Sequence, residues 1–137
     1  MVNLLRFRAW HKTWEEMGWI ARIRYKKSGE IASLSFRRNI YDGNIYGGLV
    51  NLDEIELMQS TGLKDKNGKE IFEKDILDYN GRRVVVKWHG SYAGFIYEFV
   101  DELQNRTTEW QPLYLSYYKF EVIGNIYENP ELLEVTE

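Results

Sequence analysis

Apolar and polar residues alternate in several short stretches of this chain, which is the pattern of strands that bury one face. Residues 5–10 and residues 19–25 both alternate in this way, with arginines on the polar side. Polar residues 26–30 lead from the second stretch into a third, at residues 31–36. The pattern predicts three strands near the N-terminus, the last two of which form a hairpin.

The clearest turn signal is the pair Asn80-Gly81, which separates two strand-like runs within residues 75–89. A two-residue type I′ turn needs positive φ at both central positions, which asparagine and glycine accept more readily than other residues. The pair therefore predicts a second β-hairpin.

The other segments divide into strand candidates and connections. Residues 94–100 and 112–127 are rich in aromatic side chains, which favour strands. Residues 52–60 predict a strand, with a short helix at its start as an alternative. The glycine-rich residues 39–51 predict a long loop or a pair of very short strands, and residues 101–109 predict a loop or a short turn of helix.

About eight strands and no long amphipathic helix predict a mainly β fold, with a β-rich α+β fold as the alternative. The expected architecture is a small barrel or a rolled antiparallel sheet with one or two short helical turns. One of these turns is predicted near the C-terminus, with Asn129 as its cap and Pro130 in its first position. A chain of 137 residues can bury one core, so residues 1–137 are expected to form a single domain.

The composition indicates a reducing compartment. The chain has no cysteine, which excludes disulfides, thiolate nucleophiles and zinc–thiolate sites. Arginines interrupt the apolar N-terminus, and no apolar run reaches the roughly 20 residues of a membrane span. These features predict a cytoplasmic protein with no membrane partner. The net charge is −3, and residues 101–137 carry two basic and eight acidic residues, which could steer partners or keep that segment soluble.

Residues 61–77, TGLKDKNGKEIFEKDIL, combine glycine, aspartate and lysine in a way that suggests an ion-binding loop. A calcium loop starting at Asp65 would place Lys69 where a carboxylate ligand belongs. A phosphate loop would place Glu70 where the metal-binding hydroxyl belongs. The stretch instead predicts a tight turn at residues 66–69, followed by three apolar anchors, Ile71, Phe72 and Ile76.

Catalysis by a serine or threonine nucleophile would need a base, and only His11 and His89 are available. Neither histidine lies in a paired metal-binding or catalytic motif, and no pair of carboxylates stands out. The sequence therefore predicts no catalytic residue, no cofactor and no metal ligand, and the protein is not expected to be an enzyme.

Among the possible binding sites, a nucleic-acid interface has the most candidate residues in the sequence, although it is not the favoured function. One hairpin carries cations beside aromatic rings, as surfaces that bind phosphates and bases do. A net charge of −3 and the lack of a basic run argue against strong binding. The weak candidates are Arg82, Arg83, Lys87, Trp88 and His89, and further arginines lie on the N-terminal strands at Arg6, Arg8, Arg22 and Arg24.

Four segments resemble the YopX family of phage and prophage proteins: FRAW at residues 7–10, LMQSTGLKDKNGKEIFEKDIL at 57–77, VVVKW at 84–88 and VIGNIYENPELL at 122–133. They follow the family order and extend over most of the chain. Two positions depart from the family pattern. His11 follows FRAW where the family usually has an acid, and Lys74 precedes Asp75 where the family usually has a glycine.

The resemblance implies a compact, largely β protein that is encoded in phage or prophage DNA and acts in the cytoplasm of the bacterial host. It implies no reaction, cofactor or catalytic residue. The leading hypothesis is a non-enzymatic accessory protein that binds an unknown protein partner or forms a homo-oligomer, and the alternative is a nucleic-acid-binding small β-barrel. The hypothesis of a protein interface requires exposed aromatic side chains, for which the candidates are Trp10, Trp14, Trp19, Tyr117 and Tyr118.

Overall fold

A computed structural model of the protein describes residues 6–38, 47–103 and 109–134. The chain divides into two compact units, Met1–Gln59 and Ser60–Glu137. The expectation of a single domain stays a prediction. Part of the glycine-rich segment, residues 39–46, lies outside the described residues.

The N-terminal unit is an antiparallel sheet. Its strands are β1 (Phe7–His11), β2 (Glu16–Tyr25), β3 (Ile31–Arg38), β4 (Gly47–Val50) and the first half of β5 (Ile55–Lys64), and their spatial order is β4-β3-β2-β1-β5. The three predicted N-terminal strands are confirmed. A 3₁₀ turn, Leu52–Glu54, precedes β5, so the segment contains both the helical start and the strand that its sequence suggests.

One face of this sheet buries the core of the unit. The core residues come from four strands and are Ala9, Leu34, Phe36, Val50 and Ile55. Gly18 lies on β2 beneath the Phe36 ring, and a Cβ at this position would collide with that ring and with the carbonyl oxygen of Arg37. The close approach of two strands and a ring therefore depends on the missing side chain at Gly18.

The C-terminal unit contains a second antiparallel sheet. Its strands are β7 (Asp75–Tyr79), β8 (Arg82–His89), β9 (Gly94–Phe99), β10 (Trp110–Pro112) and β11 (Glu121–Asn125), in the order β10-β9-β8-β7-β11. The short strand β6 (Glu70–Phe72) pairs with the end of β5. Apolar side chains cover both faces of this sheet. One cluster is Ile71, Leu77, Val84, Val86, Tyr97, Leu113 and Phe120, and the other is Ile76, Val85 and Val100.

The predicted tight turn at residues 66–69 is confirmed, and Asp65 organises it. The Asp65 carboxylate accepts hydrogen bonds from the backbone N–H groups of Asn67 at 2.9 Å and Lys69 at 2.8 Å. Its other oxygen accepts from the N–H of Val122 on β11 at 2.9 Å. One buried side chain therefore closes the turn and attaches it to β11. The predicted apolar anchors are buried as well: Ile71, Phe72 and Ile76.

The predicted Asn80-Gly81 hairpin joins β7 to β8, and both residues have positive φ, at 51° and 85°. Lys74, which stands where the family pattern usually has a glycine, also has a positive φ, of 69°. The Lys74 backbone is fixed on both sides, because its N–H donates to Val86 and its carbonyl accepts from Ile126. The sheet holds this residue in a conformation that disfavours any side chain.

We expect Lys74→Gly to stabilise the protein by about 0.5 kcal/mol. Glycine removes the strain of positive φ in the folded state, and this gain exceeds the loss that comes from the greater conformational entropy of the unfolded chain. Lys64→Gly is the matched control, since Lys64 lies in strand β5, where glycine should destabilise by about 1 kcal/mol. Urea denaturation of both variants measures the difference. Equal destabilisation by the two substitutions would contradict the prediction.

The motif VIGNIYENPELL forms a compact turn rather than a site. The Asn125 side chain accepts hydrogen bonds from the N–H groups of Tyr127 and Glu128, at 3.0 and 2.9 Å. The Asn129 side chain accepts from the Asn125 N–H, at 3.2 Å, in the space that a side chain at Gly124 would fill. A 3₁₀ turn, Pro130–Leu133, follows with Asn129 at its N-cap position, as predicted, although the Asn129 side chain does not cap it.

The mainly β prediction is confirmed, but the small barrel is wrong. The C-terminal sheet ends at β10 on one side and β11 on the other, and these strands do not pair with each other, so the sheet is not closed. The edge strand β10 has three residues and ends at Pro112, which has no backbone N–H. The strand prediction for residues 112–127 is also wrong in part, because two 3₁₀ turns, Leu113–Leu115 and Tyr117–Lys119, replace its first half.

Candidate functional site

The five residues that the sequence suggested for nucleic-acid binding all lie on β8, but they do not share a face. Strand alternation places Arg82 and Trp88 on the side of Val84 and Val86, which belong to the larger apolar cluster. It places the other three on the side of Val85, which belongs to the smaller cluster. These three are Arg83, Lys87 and His89.

The cations of this hairpin are bound within the protein. Arg82 forms an ion pair with Asp101 at 3.2 Å and lies over the Phe99 ring, 3.6 Å from its centroid. Lys87 forms an ion pair with Glu98 on the neighbouring strand, at 3.1 Å. Such pairs neutralise the charge that a phosphate group would need.

Arg83 and Trp88 also make internal contacts. Arg83 donates a hydrogen bond to the carbonyl oxygen of Leu132 at 3.2 Å. Trp88 is 50% exposed and packs edge-on against Phe95, with 5.1 Å between the ring centroids. Among the five residues, Trp88 offers the most accessible ring.

Both histidines support turns in the same way. The Nδ1 atom of His11 accepts a hydrogen bond from the N–H of Trp14, and the Nδ1 atom of His89 accepts one from Tyr92, each at 3.1 Å. The His11 ring stacks on Trp14 at 3.9 Å, and the His89 ring lies 4.7 Å from Trp110. A carboxylate at position 11 could accept the same hydrogen bond from the N–H of Trp14.

The five aromatic residues proposed for an interface differ in their exposure. Trp14 and Tyr118 are exposed, by 45% and 56%. The other three are partly buried: Trp10, Trp19 and Tyr117. Two of the five residues, Trp14 and Tyr118, therefore have the exposure that an aromatic interface requires.

The most exposed large apolar side chains in the described part of the C-terminal unit lie on the two 3₁₀ turns and include Tyr118. Leu113 and Phe120 are buried at the ends of this segment, while Tyr114, Leu115 and Tyr118 are 63%, 57% and 56% exposed. We call these three exposed residues the tyrosine ridge. Sequence reasoning missed Tyr114 and Leu115 because it assigned the segment to a strand with alternating burial.

The tyrosine ridge has a defined backbone. The N–H of Ser116 donates to Leu113, and the N–H of Phe120 donates to Tyr117, at 3.0 and 3.2 Å. The Ser116 hydroxyl lies 3.3 Å from the hydroxyl of Tyr97, a residue of the larger apolar cluster. The exposed side chains are thus presented by a segment that is fixed to the core rather than by a free loop.

Two further observations concern the described ranges only. Within them, no group of three or more histidine, aspartate or glutamate side chains is arranged to hold a metal ion. None of the helical segments in this part of the chain has the length and apolar character needed to cross a membrane.

These features define a class of protein: antiparallel β sheets joined by tight turns, with uncharged aromatic side chains on the surface. The chain belongs to the YopX family, whose profile matches residues 6–134. The resemblance seen in the sequence is confirmed, and two of the four segments that carried it contain the Asp65 turn and the Asn125 turn described above.

Two solved structures are similar over nearly the whole chain. Protein EF1440 from Enterococcus faecalis is 30% identical, with a TM-score of 0.61, and the match covers 97% of this chain and 100% of that one. Protein yopX from Bacillus subtilis is 20% identical, with a TM-score of 0.56, over 96% of this chain and 98% of that one. No curated protein matches the sequence.

Proposed function

We propose that this protein is a non-enzymatic interaction module, encoded in phage or prophage DNA and acting in the host cytoplasm, that associates with a second copy of itself through the tyrosine ridge. The observation that carries the proposal is the exposure of Tyr114, Leu115 and Tyr118 on a segment anchored by Leu113 and Phe120. Tyrosine is enriched at protein interfaces because its ring contributes contact area at a small entropic cost.

The chemistry of the ridge supports self-association. Its three side chains are uncharged, so two copies can face each other without like-charge repulsion, as a two-fold symmetric interface requires. The Lys119 ammonium group lies over the Tyr118 ring of its own chain, 5.8 Å from the ring centroid, so its charge is directed to that ring.

The positions of the histidines support a role without catalysis. Both use Nδ1 to accept a turn N–H, which fixes each ring in a structural role. The alternative function, nucleic-acid binding by the β8 hairpin, has weaker support because Arg82 and Lys87 already form ion pairs with carboxylates.

The combined variant Tyr114→Ser, Leu115→Ser and Tyr118→Ser is expected to weaken self-association by about 100-fold or more. Aromatic side chains at the centre of an interface contribute most of its binding free energy, and this variant removes them. Sedimentation equilibrium over a range of protein concentrations measures the dissociation constant. We expect a concentration-dependent dimer for the unmodified protein and a monomer for the variant.

Tyr25→Ser is the matched control, because Tyr25 is 60% exposed and belongs to strand β2 of the N-terminal unit. It should leave the dissociation constant unchanged. A protein that remains monomeric at all concentrations, or a dimer that the ridge variant does not weaken, would overturn the proposal.

A further inference from the structure

The N-terminal sheet carries a group of arginines whose strand positions bring them together. Trp19 on β2 pairs with Arg37 on β3, and Arg22 pairs with Ser35. A β-bulge between Ile20 and Arg22 separates these two pairs. Bulges re-aim the side chains on either side of them, and they are frequent next to binding sites.

A surface groove opens at this bulge. It encloses about 460 Å³, within the range of ligand pockets, and its lining includes Arg6, Phe7, Trp19, Arg22 and Arg37. The guanidinium carbon of Arg6 lies 4.7 Å from the centroid of the Trp19 ring. Three cations and the Trp19 ring thus line one groove together with apolar residues such as Ile20 and Ile23, all supplied by the N-terminal unit.

Two of the three groove arginines, Arg22 and Arg37, differ in their pairing from the cations of the β8 hairpin. Within the described residues, neither Arg22 nor Arg37 forms an ion pair. Two carboxylates of the same unit pair with other cations, since Glu16 binds Arg38 and Glu56 binds Lys12. The hydrogen bond from Arg38 lowers the pKa of Glu16, which keeps that pair charged.

We propose that this groove binds single-stranded nucleic acid, with phosphates on Arg22 and Arg37 and a base that replaces the Arg6 guanidinium on the Trp19 ring. Arginine beside an aromatic ring is the combination that holds a backbone phosphate and an unstacked base together. A duplex keeps its bases stacked inside, so it could not fill a recess of this kind. The proposal is independent of the tyrosine ridge, which lies on the other unit.

The spacing of the arginines along β2 fits the same ligand. Arg22 and Arg24 are two residues apart on a strand, which places their Cα atoms about 6.7 Å apart on one face. This is close to the separation of successive phosphates in an extended single strand. Arg24 is exposed beside the groove and can contact the next phosphate along.

The test is fluorescence anisotropy of the whole protein with a labelled deoxythymidine oligomer of about 15 nucleotides and with a uridine oligomer of the same length. We expect binding at about 50 mM salt that weakens steeply by about 200 mM. The double variant Arg22→Gln and Arg37→Gln should lower the affinity at least tenfold and reduce the slope of the logarithmic salt plot by about 1.4, the value for two lost single-strand phosphate contacts.

Two further comparisons distinguish binding in this groove from binding at the β8 hairpin and from attraction by charge alone. Arg82→Gln with Lys87→Gln removes the same number of cations from the β8 hairpin and should leave affinity unchanged. Trp19→Leu should weaken binding about tenfold while Trp19→Phe retains it, because only the second keeps a ring for stacking.

Five outcomes would overturn the proposal, and four of them concern the single-stranded oligomers. They are no binding to either oligomer at low salt, equal losses in the two double variants, equal affinity in Trp19→Leu and Trp19→Phe, and displacement of the oligomer by tripolyphosphate or polyglutamate at matched charge concentration. The last would indicate a general anion site or an acidic protein partner. A duplex that binds as tightly as the single strand would likewise contradict it.

Discussion

Replacing Asp65 by asparagine is expected to destabilise the protein by about 3 kcal/mol, the cost of losing charge-assisted hydrogen bonds to a buried group. The carboxylate accepts three backbone N–H groups, two within its own turn and one from Val122 on β11. The asparagine side chain has one oxygen and one NH₂ group. The NH₂ group would face at least one of these backbone N–H donors and could not accept its hydrogen bond. The turn would then lose either its closure or its attachment to β11.

The loss should depend on pH in a defined direction. Burial alone would raise the pKa of Asp65, but the N–H groups of Val122, Lys69 and Asn67 outweigh it, and the pKa lies below the ordinary value of 3.8. A lowered pKa contributes stability that is complete above the unfolded-state value and is lost as pH falls through the folded-state value. The difference between the unmodified protein and Asp65→Asn should therefore be constant above about pH 5 and shrink below pH 3.8.

Denaturant unfolding at a series of pH values measures this difference. Asp53→Asn is the matched control, because Asp53 is exposed in a 3₁₀ turn and Lys12 donates to its backbone carbonyl, which the substitution keeps. It should change stability by less than about 0.5 kcal/mol. An Asp65→Asn variant as stable as the control, or one whose deficit grows on acidification, would show that the carboxylate does not hold the turn.

Gly18→Ala should cost about 3 kcal/mol, the upper part of the range for an added methyl group in a packed core. The new Cβ would collide with the Phe36 ring and with the Arg37 carbonyl oxygen. The ring is fully buried and the carbonyl belongs to a paired strand, so neither can move without disturbing the sheet.

Gly48→Ala provides the comparison, because Gly48 lies on the neighbouring strand β4 and a Cβ there would meet nothing within 4 Å. Alanine at this position should be neutral or slightly stabilising. Thermal unfolding of the two variants distinguishes them. Similar transition temperatures would mean that β2 and β3 can separate to admit the methyl group.

Local patterns in the sequence were sufficient to predict much of the fold. The alternation in residues 19–25 and the Asn80-Gly81 pair both correspond to elements that short-range sterics determine, and both were found where expected. The Lys66 to Lys69 turn was also predicted from its residues. Its attachment to Val122 could not be, since that bond joins positions 57 residues apart.

The tyrosine ridge shows why part of the site was missed. Residues 113–119 contain tyrosines and leucines whose spacing favours a strand, but Leu113 and Phe120 both reach the core, and 3₁₀ turns are what bring these two ends inward. The exposure of Tyr114 and Leu115 follows from that tertiary arrangement, which alternation along the chain does not encode.

The pairing of charged side chains was the second property that the sequence could not predict. The hairpin arginine Arg82 and the groove arginine Arg22 look equivalent in the sequence, each on a strand with aromatic neighbours. They differ because Asp101 reaches Arg82 across the fold, while no carboxylate in the described chain pairs with Arg22. The net charge of −3 therefore does not show which arginines are paired with carboxylates and which are not.

The short edge strand β10 limits the ways in which another chain can be recognised beside the tyrosine ridge. It offers three residues, the last of which, Pro112, cannot donate a hydrogen bond to an incoming strand. Main-chain hydrogen bonding, which accepts almost any partner sequence, therefore has few donors and acceptors available at this edge. Selectivity on that side of the molecule must then come from the shape of side chains, so a partner that fits should be hard to replace by an unrelated extended peptide.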